Sequence, residues 1–228
     1  ALPKGGRVAC CYSSDEGKTW TPAETLYDSP DDDRDPSIMQ TRSGKLLCTF
    51  FSLRTKADNP QAWDGLGSWV VQSDDLGKTW SAPRQIAAEY YVSSPARQLK
   101  DGRLILGMYT ENAAAGGAHG AVVFSEDDGA TWGKPVDIDN GGMQLDAETD
   151  VIERTDGSLY AAERGAKNVM LSWSESTDGG KTWSVSKPTD FPGHCPYLYR
   201  APNGIILLAQ RLPQTTLRYS LDECRTWS

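Results

Sequence analysis

SSDEGKTW (Ser13–Trp20), SDDLGKTW (Ser73–Trp80), SEDDGATW (Ser125–Trp132), STDGGKTW (Ser176–Trp183) and SLDECRTW (Ser220–Trp227) are five versions of one phrase, Ser-x-Asp-x-Gly-x-Thr-Trp. Their starts at 13, 73, 125, 176 and 220 lie 60, 52, 51 and 44 residues apart. Recurrence at such intervals marks an array of one supersecondary unit. The phrase reads as a hairpin tip. Its Asp is expected to accept hydrogen bonds from backbone N–H groups two residues on and to close the turn. Its Gly takes a positive φ that side-chain-bearing residues resist, although Cys224 holds that place in the last copy. Its Trp returns to the sheet and buries apolar surface. Asp15, Asp75, Asp127, Asp178 and Asp222 are therefore read as structural, and the five tryptophans are expected to be mostly buried between strands.

Working outward, each interval holds a second turn: TRSGKLL (41–47), LKDGRLIL (99–106), RTDGSLY (154–160) and APNGIILL (201–208). Apolar runs flank each of them, as in a hairpin. One unit then reads strand A, Gly turn, strand B, loop, strand C, the Ser-x-Asp phrase, strand D. Repetition of a four-stranded antiparallel sheet is the pattern of a β-propeller blade. The expected A strands are 35–40, 95–99, 149–153 and 197–200. The expected fold is all-β with no substantial helix. Residues 1–228 count as a single propeller domain with three full blades, a fourth without its D strand, and an opening C–D half. Because that ring does not close, the chain is expected to be a fragment or to be completed elsewhere.

Composition fits many short strands joined by tight turns, with 22 Gly, 13 Pro and 8 Trp in 228 residues. A net charge of −8 argues against nucleic acid as a partner, since phosphate binding needs a basic surface. No apolar run is long enough to span a membrane. The five cysteines are odd in number and lack metal-ligand spacing. The start at ALPKGG has no charged-then-apolar leader, and a mature secreted form and a cytosolic form would look alike.

Topology assigns D–A and B–C loops to one face, where a ligand at the propeller axis would sit. Around a hairpin centred on Asp156, Glu148 lies eight residues before and Arg164 eight after. They fall opposite each other at that mouth, carboxylate beside guanidinium. By itself this reads equally as a surface cross-strand ion pair. The same arithmetic around Asn203 sets Cys195 opposite Arg211.

The repeated phrase resembles the Asp-box of the sialidase superfamily and of related β-propellers, over essentially the whole chain. The resemblance implies a six-bladed sialidase-type propeller, here incomplete. It also implies an exo-α-sialidase-type glycoside hydrolase acting on sialylated glycans or another acidic carbohydrate. The run from Glu148 through Val151, Glu153, Gly157 and Leu159 to Arg164 is similar to the segment that carries the family's catalytic Glu and second substrate arginine. Arg34-Asp35-Pro36-Ser37-Ile38 stands where the family has Arg-Ile-Pro and its first arginine, with Asp35 as a departure beside the clamp. Arg211 is the choice for the third arginine. The family's acid/base Asp lies on a long B–C loop, here 53–67, which offers Asp58 and Asp64, with Asp64 preferred. The family's nucleophile is a Tyr paired with the Glu; Tyr90, Tyr91, Tyr109 and Tyr197 lie near the functional face but in the wrong order, and no Tyr follows Tyr219.

Several arginines can grip a sugar carboxylate through paired charge-assisted bonds. A neutral phenol attacks without repelling that carboxylate. No metal or other cofactor enters this chemistry. Two further readings stay open: a non-catalytic propeller that binds glycans or proteins, and another carbohydrate-active propeller, a polysaccharide lyase or a glycosidase using Glu148 with Asp35 or Asp150.

Overall fold

A computed structural model describes residues 5–111, 117–167 and 169–228. All regular structure among them is strand. β1 (Val8–Cys10) and β2 (Glu24–Tyr27) form an opening pair. The first sheet contains β3 (Asp32–Gln40), β4 (Leu46–Lys56), β5 (Asn59–Ser73) and β6 (Arg84–Ala87). The second contains β7 (Arg97–Gln98), β8 (Leu104–Thr110), β9 (His119–Ser125) and β10 (Val136–Asp137). The third contains β11 (Leu145–Glu153), β12 (Leu159–Gly165), β13 (Met170–Ser176) and β14 (Lys187–Pro192). The fourth has three strands, β15 (His194–Arg200), β16 (Ile206–Arg211) and β17 (Thr216–Ser220). Every pairing is antiparallel and sequential, so each sheet is a meandering propeller blade.

The boxes explain the regularity. In the first, Ser13 Oγ donates to Asp15 Oδ1 at 2.7 Å and accepts from the Gly17 N–H at 2.8 Å. The Asp15 carboxylate accepts from the backbone N–H and the hydroxyl of Thr19. The same bonds recur at Asp75, Asp127, Asp178 and Asp222. The Asp thus reaches the Thr four residues on, further than a simple Asx turn. These bonds, led by the Thr hydroxyl, hold Asp15, Asp75, Asp127 and Asp222 near pKa 2. Such carboxylates are permanently charged acceptors at neutral pH and poor proton carriers.

Four clusters of buried side chains fill the gaps between neighbouring sheets, and each holds one box Trp from the later sheet. Trp132, for example, packs on Leu47 and Val70 of the first sheet and Leu106 of the second. These four tryptophans are half-buried, not fully enclosed. Trp20 departs from the expectation altogether: it is 62% exposed. Its box belongs to the opening pair, and no earlier sheet lies behind it among the described residues.

Three of the A strands, β3, β11 and β15, begin earlier than the sequence suggested and carry an irregularity near their start, whereas β7 begins two residues later. Register slips between Arg34 and Ser37, between Leu145 and Thr149, and between His194 and Tyr197. In each slip one residue takes a left-handed φ: Asp35 (50°), Ala147 (62°) and Cys195 (48°). Bulges bend a strand and re-aim its side chains, and they gather beside functional sites. All three lie at the same end of their hairpins, the end remote from the boxes.

Candidate functional site

At that end, Arg164 closes β12 between two carboxylates. Its Nη1 donates to Glu148 Oε1 at 2.9 Å and its Nη2 meets Asp146 Oδ2 at 2.9 Å. The Glu148 side chain is 9% exposed and that of Asp146 is 43% exposed, so Asp146 is the partner open to exchange. Burial opposes the Arg164 charge, but Glu148 and Asp146 outweigh it and raise its pKa. The second Glu148 oxygen accepts the Cys195 backbone N–H at 3.0 Å. Arg211 Nη2 reaches Cys195 Sγ at 2.6 Å. Strand register pairs Arg211 with His194 instead of Cys195, because the Cys195 bulge inserts a residue that uniform counting around Asn203 does not include.

Asp35 belongs to the same field. Its side chain keeps solvent access, yet the mouth crowds it with protein. This desolvation first, then the Glu148 charge, raises its pKa, while Arg34 and Arg211 pull it down. The Tyr109 phenol is buried, and burial followed by Glu148, Glu111 and Asp35 pushes its pKa up. Glu111 is raised by burial and then by Asp146. His194 is lowered by burial and then by Arg164, which favours the neutral imidazole. Its Nε2 and the Nε of Arg164 are buried with no partner among the described residues. Aromatic contacts brace this wall: Tyr91 packs against Tyr109 at 5.5 Å and against Phe51 at 5.4 Å.

The mouth therefore gathers Asp35, Glu148, Arg164 and Arg211. Arg34 stands beside it, exposed, with Nε on Asp32 Oδ2 at 2.7 Å. Asp58 and Asp64 are carried by a neighbouring segment, whose Gly65 abuts the Tyr91 hydroxyl of this wall. The segment read as a long loop over 53–67 is instead a β-ribbon, in which Leu53 pairs with Gly65, Arg54 with Asp64, and Thr55 with Trp63. Asp58 is in its tight turn and Asp64 forms an ion pair with Lys56 at 3.1 Å. Sequence reasoning passed over Asp146, although strand alternation two residues from Glu148 could have indicated it. Among the described residues, no group of three His, Cys, Asp or Glu side chains could hold a metal ion, and no helix is long and apolar enough to cross a membrane.

Sheets joined by Asp-boxes around a carboxylate–arginine mouth define the class as a sialidase-like β-propeller. The chain belongs to the BNR repeat-like domain family, whose model matches residues 8–228. It is 30% identical to the anhydrosialidase of the leech Macrobdella decora over 128 residues, 51% of this chain and 16% of that protein. A Dyadobacter fermentans protein of unknown function superposes with a TM-score of 0.78 at 24% identity, covering 93% of this chain and 67% of that one. The intramolecular trans-sialidase of Ruminococcus gnavus superposes with a TM-score of 0.70 at 17% identity, covering 93% and 73%. These structural likenesses establish the fold.

Proposed function

We propose that this propeller acts as a glycoside hydrolase of the exo-α-sialidase type, removing terminal sialic acid from glycans. The observation that carries the reading is the Glu148–Arg164 pair at the mouth, with Arg211 and Asp35 in the same electrostatic field. In this reading the substrate carboxylate replaces Asp146 on Arg164, with Arg211 and Arg34 completing the grip through charge-assisted hydrogen bonds. Glu148 serves as the base, taking the proton from the hydroxyl, of water or of a tyrosine, whose oxygen bonds to the anomeric carbon as the glycosidic bond breaks. Asp35, whose pKa is raised first by desolvation and then by the Glu148 charge, supplies the proton to the leaving oxygen. Asp64, or Asp58 beside it on the ribbon, is the alternative donor if the ribbon folds over bound substrate. Tyr109 stands beside Glu148, but its raised pKa is the reverse of nucleophile activation. It is assigned to the wall of the site.

The domain is proposed to be one propeller that extends past the fourth sheet. Tyr197, Tyr199, Leu217 and Tyr219 are exposed on one face of that sheet, and a contiguous apolar sheet face of this kind calls for a cover.

A second reading has its own support. Asp35, Glu111, Asp146 and Glu148 outnumber Arg34, Arg164 and Arg211 at the mouth, which suits a glycosidase for neutral sugars using Glu148 with Asp35. The test is hydrolysis of a fluorogenic sialoside against neutral aryl glycosides, by this chain and by a form extended past Ser228. Release from the sialoside alone supports the first reading. Release from a neutral glycoside alone supports the second and removes the first.

A further inference from the structure

A cleft lies away from the mouth, at the box end of the β11–β12 hairpin. Asp156 in the hairpin turn lines it, eight residues of strand from Glu148, or roughly 25 Å at the strand rise. It encloses about 650 Å³ between the third and fourth sheets.

A break in the repeat opens it. At each earlier step the box Gly abuts the residue that precedes the previous box. A Cβ on Gly77 would lie 3.1 Å from Tyr12, one on Gly129 would lie 2.9 Å from Gln72, and one on Gly180 would lie 2.2 Å from Phe124. Tyr12 and Gln72 also donate to the carbonyls of Gly77 and Gly129 at 2.6 Å. At the last step the pair is Cys224 and Glu175. A carboxylate has no proton to donate to that carbonyl, and Glu175 turns instead to Arg154 Nη1 at 2.7 Å. Cys224 takes the glycine's left-handed φ of 67° and buries its side chain beside Tyr160.

The lining is aromatic and polar together. Trp173 stacks on Tyr160 at 5.8 Å with planes 16° apart, and Trp227 stands 6.3 Å from Tyr160. Arg154 is 6% exposed and its Nε has no partner among the described residues. Native structures seldom leave buried donors empty. Glu175, Asp190 and Thr177 add acceptors and a hydroxyl at the same cleft. Its charges are two cationic, Arg154 and Arg225, against three anionic, Asp156, Glu175 and Asp190. That balance gives an anion no advantage.

We propose that this cleft is a second carbohydrate site, one that binds a neutral hexopyranose unit of a glycan. A pyranose offers an apolar C–H face to an indole and hydroxyls that both donate and accept. Those are the two kinds of surface this cleft presents, and its size falls within the usual range for small-ligand sites. The site makes no use of Glu148 and stands whatever reaction the mouth performs.

Titration with lactose tests this, read by NMR of the tryptophan indole N–H resonances. Lactose is expected to shift the Trp173 and Trp227 signals with a millimolar dissociation constant. Trp173→Ala should weaken binding at least tenfold, while Glu148→Gln leaves it unchanged. If Trp173→Ala fails to fold, Asp190→Ala at the exposed rim should weaken binding at least threefold. Absence of lactose shifts at Trp173 and Trp227 overturns the proposal, as does undiminished binding in the folded variant. Shifts evoked by a sialic acid monosaccharide and not by lactose also overturn it.

Discussion

The backbone N–H of Cys195 donates to the Glu148 carboxylate at 3.0 Å across the boundary between the third and fourth sheets. Glu148 is thereby held from two directions, by Arg164 on its own hairpin and by a bulge on the next. Neither contact is local in sequence. The Cys195 φ of 48° is unfavourable for a residue with a side chain, and it is this turn of the chain that presents the N–H to Glu148. A strained residue beside a buried carboxylate is what a preorganised site needs.

Glu148→Gln removes the ionisable oxygen and keeps an acceptor for Cys195. Its expected effect is a loss of about a hundredfold or more in kcat, the usual scale of acid–base assistance, in whichever chain form proves active. The melting temperature should also fall, because the amide NH2 of Gln must face a donor of Arg164 or Cys195. Steady-state hydrolysis beside a thermal melt separates the two effects. Activity within threefold of the parent would remove Glu148 from the chemistry.

Asp146→Asn tests the clamp. If a substrate carboxylate must displace Asp146 from Arg164, neutralising Asp146 removes its competitor. KM for a sialoside should fall severalfold, with kcat altered less, and neutral glycosides should be unaffected. An unchanged or raised KM for the sialoside would show that Arg164 is not the carboxylate receptor.

Much of the fold was legible because a repeat restates its signal. The box residues bond within eight positions, so the hairpin tip is a local property that sequence displays directly. Glu148 and Arg164 were legible for a related reason: both belong to one hairpin with a countable centre. Arg211 and the 53–67 segment show the limit. The bulge at Cys195 depends on the neighbouring sheet, and counting residues around Asn203 cannot contain it. The 53–67 segment reads as a loop, but pairing with the end of β4 makes it a ribbon. Trp20 repeats the box and lacks the packing, because packing comes from the preceding sheet and not from the box.

That last difference is measurable. Trp132 packs into the cluster between the first and second sheets, whereas Trp20 is solvent-exposed. Trp132→Ala should cost about 2–3 kcal/mol, the low end for deleting a core aromatic because Trp132 is half-buried. Trp20→Ala should cost less than about 1 kcal/mol, as surface changes do. Urea unfolding of both variants decides the matter. Equal losses would mean that the box, not the inter-sheet packing, supplies the tryptophan's contribution.

Glu163 provides a pH-dependent test of the barrel wall behind the mouth. It precedes Arg164 on β12 but points into the interior and is wholly buried. Ser186 Oγ donates to its Oε1 at 2.7 Å, and its Oε2 faces Gly120. A Cβ on Gly120 would sit 2.8 Å from that Oε2, so only glycine on the facing strand leaves it room. Burial pushes its pKa from 4.5 up to about 7, against the smaller opposing effect of Ser186. A carboxyl raised in the folded state stabilises fully below its unfolded pKa, and that contribution is lost as pH rises through the folded value. Wild-type stability should therefore decline between about pH 4.5 and pH 7 by roughly 3 kcal/mol from this group. Glu163→Gln carries no ionisable proton there and should lose that share of the decline, so that the variant overtakes the parent near pH 8. Urea midpoints for both proteins at pH 5 and pH 8 provide the measurement. Parallel declines in the two would place the pH sensitivity elsewhere and leave Glu163 ionised in the fold.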